Sequence, residues 1–153
     1  MMNTDEKWMR EALKEAKHAL RVEEVPIGAI VVHENRIIGR GYNQVEMLQD
    51  PTAHAEMIAL TAATNHLERK WLNEATMYVT IEPCAMCAGA MILARLKRLV
   101  YGAPEMKTGA HSSILNILDD PRVNHRIEVI PGILRSESSY LMTTFFEEMR
   151  KRN

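Results

Sequence analysis

The stretch ATMYVTIEPCAMCAGAMILARLKRLVYG, residues 75–102, carries two strands and a helix between them. ATMYVTI, 75–81, is a short apolar run rich in β-branched and aromatic residues, the pattern of a buried strand. CAMCAGAMILAR, 84–95, predicts a helix that is apolar almost all round, and so one buried on every side. LKRLVYG, 96–102, reads as the next strand.

Working outward, TDEKWMREALKEAKHALR predicts an amphipathic helix. Trp8, Met9, Ala12, Leu13, Ala16, Ala19 and Leu20 share one face, and Thr4 is the candidate N-cap. PIGAIVVHENRIIGRGYN reads as a hairpin, with a strand from Ile27 to Val32, a turn at His33–Asn35 and a second strand to about Gly41. A polar loop ending in QDPT leads to a helix from near His54 to about Glu68. Downstream, SSILNIL (112–118) predicts a short helix, RIEVI (126–130) a last strand, and SESSYLMTTFFEEMRKRN (136–153) a closing amphipathic helix. The order α-β-β-α-β-α-β-α-β-α predicts an α/β fold of three α-β-α layers. Its central five-stranded mixed sheet would be flanked by helices on both faces and mostly parallel after the hairpin. Residues 1–153 form one domain on this reading, without repeats or linkers.

Composition narrows the function classes. Apolar residues make up 46%, enough for a sizeable core. Two cysteines, Cys84 and Cys87, are too few for a secreted disulfide scaffold, so a reducing, cytoplasmic setting is expected. MMNTDEKWMR lacks the apolar core of a signal peptide, and no run approaches the roughly 18 apolar residues of a membrane span. Net charge is −1, but residues 1–94 hold 9 Lys/Arg against 13 Asp/Glu, and residues 95–153 hold 10 against 7. The basic C-terminal part could meet phosphates locally; scatter in surface charge is the plainer reading.

Two segments carry chemistry: HAE at 54–56 and PCAMC at 83–87. Each falls where a strand or loop hands over to a helix. Cysteines at i and i+3 of a first turn lie on one face, so both sulfurs can reach one metal. His54 offers a third ligand. Two thiolates and an imidazole suit Zn2+ and leave a fourth tetrahedral position open, the mark of a catalytic site. Positions i and i+2 of a regular helix diverge by roughly 200°. His54 and Glu56 can therefore converge only if His54 sits at the helix entrance, a placement Pro51 and Thr52 favour. Zinc brings the pKa of bound water to about 7, and a neighbouring carboxylate could carry its proton. Each residue alone has a plainer use. His54 could be an ordinary surface or core histidine, Glu56 a first-turn helix residue, and the cysteines a redox pair or part of a structural zinc site. A redox pair gives His54 and Glu56 no role, and a structural zinc site wants a fourth Cys or His, which is not nearby in sequence. H-x-E followed by P-C-x-x-C is the signature of nucleobase zinc deaminases.

The segments VPIGAIVV, GRGYN, DPTAHAEMIAL, ATMYVTIEPCAMCAGAMI, VYGA, KTGA, NHRIEV and GIL…FF together resemble the bacterial tRNA-specific adenosine deaminases of the TadA type, in the cytidine deaminase-like superfamily. The resemblance implies hydrolysis at C6 of adenine, giving inosine and ammonia. It implies one Zn2+ per subunit on His54, Cys84 and Cys87, with Glu56 as proton shuttle. It places Asn43, Ile27, Ala53, Pro83 and the Glu82 backbone around the flipped nucleotide, and Glu105 where members often carry Asp or Asn. The implied substrate is the wobble adenosine in the anticodon stem-loop of an arginine tRNA, and the implied assembly a homodimer. Lys107, Arg122, Arg126, Arg150 and Lys151 are candidate phosphate contacts, with solvated charge as the plainer reading. Phe145 or Phe146 could meet loop nucleotides, while core packing would explain at least one of them. The chain departs from the family in KTGAHSS, where members read KTGAAGS, and His111 is expected to face solvent. It departs again at Ser138, where many members carry Cys. The competing functions are a deaminase of a free base or nucleoside (guanine or cytosine type), a variant acting on single-stranded DNA, a zinc-stabilised RNA-binding module without catalysis, and a thiol redox protein.

Overall fold

The computed structural model describes residues 3–153. Its elements are α1 (Thr4–Arg21), β1 (Gly28–His33), β2 (Arg36–Tyr42), α2 (Val45–Leu48), α3 (Ala55–Leu67), β3 (Thr76–Ile81), α4 (Ala85–Leu93), β4 (Arg98–Ala103), β5 (Glu128–Ile130) and α5 (Arg135–Arg152). The five strands form one mixed sheet in the order β2-β1-β3-β4-β5. β1 runs antiparallel to both β2 and β3, and the β3–β4 and β4–β5 pairs are parallel.

The period-2 alternation of the strands sorts the core into two layers. Ile30, Val32, Tyr78 and Val100 face α1 and pack on Trp8, Met9 and Ala12. Their neighbours Ala29, Val31, Met77, Val79, Leu99 and Tyr101 face the other way, onto α3 and α4. α5 lies beside α1, where Leu141 meets Leu13 and Ala16. The three-layer α-β-α architecture with a five-stranded mixed sheet is therefore as expected. α3 seats directly on β2, and a Cβ at Gly41 would collide with the Ala55 carbonyl oxygen. That close approach fixes where α3 begins.

Several boundaries differ from expectation. The N-cap of α1 is Asn3, not Thr4: the Asn3 carboxamide oxygen accepts the Asp5 N–H at 2.7 Å, and Thr4 is already helical. β1 begins at Gly28, so Ile27 stands just before it. SSILNIL is not a helix. The Ile114 and Leu115 N–H groups donate to the Gly109 carbonyl, and those of Ile117 and Leu118 to Ala110. The Ser112 and Ser113 N–H groups donate to the Glu82 carboxylate. The donors that a helix needs are thus directed elsewhere, and Ile114 and Leu115 stay exposed. The polar loop after β2 contains α2, whose first N–H groups, on Glu46 and Met47, donate to the buried Glu24 carboxylate. α4 is not buried on every side. Cys87, Ala88 and Met91 face the core, whereas Ala85 is exposed and Leu93 is 81% exposed. No helix among the described residues is long and apolar enough to cross a membrane.

Candidate metal centre and active site

The sheet register gathers the singled-out residues at one end. Gly28 opposes Tyr42, so Ile27 and Asn43 flank the hairpin at the end where β1 starts and β2 stops. β1 is antiparallel to β3, so this is also the end where β3 delivers Glu82, Pro83 and Cys84, and where parallel β4 delivers Ala103 and Glu105. Ligand sites of open α/β sheets lie beyond the carboxyl ends of the parallel strands for this topological reason.

Two helices begin here. His54 is the N-cap of α3, with φ −79° and ψ 149°, and Cys84 is the N-cap of α4, with φ −77° and ψ 176°. Both are extended, as an N-cap requires, yet neither side chain caps its helix. The side chains turn to each other instead. His54 Nδ1 lies 3.6 Å from the Cys84 Sγ and 3.6 Å from the Cys87 Sγ. Zn–S bonds of about 2.3 Å and Zn–N bonds of about 2.0–2.1 Å at the tetrahedral angle require N···S separations of about 3.5–3.6 Å. The three ligand atoms all lie within 4.8 Å of one another, so the donor set and its spacing fit zinc. The entrance position of His54 is the one the H-x-E spacing demands.

The donor groups and Glu56 perturb one another strongly. A hydrogen bond from Cys87, aided by another from His54, brings the Cys84 thiol down to about 4 despite burial. The same pairing, together with burial, pushes the Cys87 thiol up. The His54 imidazole is raised, first by its hydrogen bond to Cys84. Glu56 is 3% exposed, and burial pushes its carboxyl up to about 7, with the neighbouring Cys84 adding to the rise. A carboxyl in that range can accept and return a proton at neutral pH.

Asn43 is 7% exposed, and its Oδ1 accepts the Ala55 N–H at 3.1 Å. It thereby supplies the cap that His54 does not give α3. Ile27 is half-buried against the larger core cluster, with Cys84 and Met57 in the same group, and its carbonyl accepts the Asn43 N–H at 3.1 Å. Ala53 is buried, and its carbonyl accepts from Gln44. Pro83 is buried, and its carbonyl accepts from Ala110 at 2.9 Å. The Glu82 carboxylate is itself buried and engages the loop that follows β4, a role that the sequence reading, confined to its backbone, missed. Burial works against its ionisation, but hydrogen bonds from Ser113, Ser112, His111 and Glu105 hold the carboxyl below its usual range.

A groove of about 510 Å³ between that loop and α5 brings together Glu105, Lys107, Phe146 and Arg150. Phe146 is 43% exposed there, whereas Phe145 is 8% exposed. The aromatic on the groove is Phe146, and Phe145 is committed to packing. Lys151 pairs with Glu148 on α5 and Arg122 with Asp120, so neither joins the groove, and neither does Arg126. His111 does not face solvent. Its Nδ1 is 2.8 Å from the Tyr101 hydroxyl and its Nε2 3.0 Å from Asp119. Ser138 is buried beside Gly102, and its hydroxyl has no hydrogen-bond partner among the described residues. A small side chain with one polarisable atom fits that place, and the site ligands are untouched by it.

A mixed α/β sheet that presents H-x-E at one helix start and P-C-x-x-C at the next, with a His/Cys/Cys group that could hold a metal, defines a deaminase of the cytidine deaminase-like class. The family model of the MafB19-like deaminases matches residues 3–150. Within that class the chain belongs to the tRNA-specific adenosine deaminase family, on the strength of the following relatives. It is 44% identical over 151 residues to the tRNA-specific adenosine deaminase of Bacillus subtilis (strain 168), covering 99% of this chain and 94% of that one. It is 47% identical over 148 residues to that of Haemophilus influenzae (strain ATCC 51907 / DSM 11121 / KW20 / Rd), covering 96% and 86%. A solved structure from studies of A-to-I editing by tRNA:A34 deaminases at the wobble position of transfer RNA superposes with a TM-score of 0.83. It is 42% identical and covers 87% of this chain and 96% of that one. A guanine deaminase from Nitrosomonas europaea, 24% identical with a TM-score of 0.80 over 95% of this chain and 86% of that one, shares the fold.

Proposed function

We propose that this deaminase converts adenosine to inosine at the wobble position of a tRNA anticodon loop, with an arginine tRNA as substrate. The observation that carries the reading is the His54–Cys84–Cys87 cluster, spaced for zinc, with the buried Glu56 beside it. Zinc, when bound by these three side chains, would supply the Lewis acidity that makes water nucleophilic at neutral pH. Glu56 takes a proton from the attacking water and returns it to the departing 6-amino nitrogen, so water is consumed and ammonia leaves. On this reading Asn43 and Ile27, at the sheet end beside His54, orient the base, with Ala53 and Pro83 next to them in the chain segments that bear the ligands. Glu105, Lys107, Phe146 and Arg150 line the adjacent groove, a basic and aromatic surface suited to nucleotides flanking the reacting base. A base already splayed from a loop costs little to bring into such a site.

The exposed apolar side of α4, with Ala85 and Leu93 at its ends, supports a homodimer through that face. A cytoplasmic setting suits two cysteines held as free thiols. The test is a substrate panel: an arginine anticodon stem-loop, its deoxy analogue, and free guanine, cytosine and adenosine. Inosine formed in the RNA at the wobble position alone is the expected result. Ammonia released from the free compounds, with the RNA untouched, would replace this reading with a free-base deaminase. Preferential editing of the deoxy analogue would mark a DNA-acting variant.

A further inference from the structure

Glu82 is 1% exposed, two residues before the ligand Cys84, and takes no part in the chemistry above. Its carboxylate accepts the backbone N–H groups of Glu105 at 3.1 Å, His111 at 2.9 Å, Ser112 at 3.0 Å and Ser113 at 3.3 Å. The Ser113 hydroxyl donates to it as well. A carboxylate has about four acceptor sites, so these donors saturate it. Every one of them comes from the 105–113 loop. The loop is pinned to the ligand segment at two further points: the Ala110 N–H donates to the Pro83 carbonyl at 2.9 Å, and Cys84 bridges to Gly109. Gly109 has no room for a side chain, because a Cβ there would strike the Glu82 carboxyl group. The same loop carries Glu105 and Lys107 into the groove opposite α5. It has no helix or strand of its own. A buried anion is costly unless its hydrogen bonds are met, so the carboxylate and the loop hold each other in one arrangement.

We propose that Glu82 is a positioning residue for substrate recognition. Its carboxylate templates the 105–113 loop, so that the loop meets the nucleotides flanking the reacting base in a fixed shape. This rests on the reading that the site takes a base within RNA. Glu82 acts on how the substrate is held, not on the metal: its carboxylate takes donors only from the loop that carries the groove residues Glu105 and Lys107, whereas the ligands lie on the helix starts. A purely structural role would lower stability and leave the Michaelis constant of the surviving enzyme unchanged.

The experiment compares wild type, Glu82→Gln, Glu82→Asp and Ser113→Ala for zinc content, for kcat and KM on an anticodon stem-loop, and for amide hydrogen exchange. Gln keeps the volume but turns an NH2 group toward backbone donors. Glu82→Gln is expected to keep about one zinc per chain, to raise KM about tenfold or more and to change kcat less than about threefold, a loss of ground-state binding. Exchange should quicken across 105–113 and stay slow in α3. Glu82→Asp, which restores the charge, should lie between Gln and wild type. Ser113→Ala removes one donor from the loop side and should raise KM by a few-fold at full zinc content, which keeps the idea testable if Glu82→Gln does not fold. Unchanged KM in the folded variants, or loss of zinc and kcat at constant KM, overturns the proposal. If wild type edits no RNA, the substrate reading fails separately. Hydrogen exchange then still judges Glu82, and unaltered exchange in 105–113 would overturn its role.

Discussion

α1 and the pair α3 and α4 begin in different ways. At α1 the Asn3 side chain accepts an N–H of the first turn, and Asp5 and Glu6 follow to complement the helix dipole. At α3 and α4 the N-cap positions hold His54 and Cys84, whose side chains cap nothing and point at each other. α3 is capped from outside, by Asn43. A helix start that gives up its own cap and has the loss made good from another element is a helix start under functional constraint. If that contrast is sound, mutations at the two kinds of start should separate chemistry from stability.

The largest effect belongs to the metal. Cys84→Ala leaves two protein ligands and should eliminate both bound zinc and turnover, read by metal analysis and inosine formation. Retention of stoichiometric zinc would break the comparison at its strong end. Asn43→Ala should act on both sides of the contrast. Loss of the α3 cap should lower stability by about 0.5–2 kcal/mol, and inosine formation should fall because the helix start that holds His54 is loosened. Asn3→Ala should cost about 1 kcal/mol in denaturant unfolding and leave kcat and KM at wild-type values. A change in catalysis there would blur the distinction.

The smallest effect concerns Asp5. Two hydrogen bonds from the Arg98 guanidinium, at 2.8 and 2.7 Å, and one from the Tyr78 hydroxyl hold its carboxyl below the usual aspartate range. A depressed folded pKa stabilises the fold above the unfolded value of about 3.9, and the benefit fades as pH falls through the folded value. Wild-type stability should therefore drop more steeply than that of Asp5→Asn as pH is lowered from about 5 to 3. Equal slopes would remove Asp5 from the account.

Most of the fold was legible because period-2 strands and amphipathic helices report burial directly, as the opposite-facing Ile30 and Val31 show. The gathering of His54, Cys84 and Cys87 was legible for a stricter reason. Two cysteines one helical turn apart, and a histidine that must precede its helix to meet a glutamate two positions on, leave little freedom. The loop between β4 and β5 was not legible. SSILNIL has helical composition, but its first two backbone donors answer to a carboxylate about thirty residues upstream, which no local pattern announces. Glu82 and Glu24 were missed alike, since each serves as a cap for backbone remote in sequence. The exposed side of α4 was misread because apolar composition alone cannot distinguish a buried face from an exposed one.

The most direct test of the site is Glu56→Gln, assayed together for bound zinc and for inosine in an anticodon stem-loop. The account predicts about one zinc per chain and RNA binding close to wild type, with turnover lowered by at least about 10²-fold, because only the proton carrier has been removed. Turnover at the wild-type rate with zinc in place would contradict it.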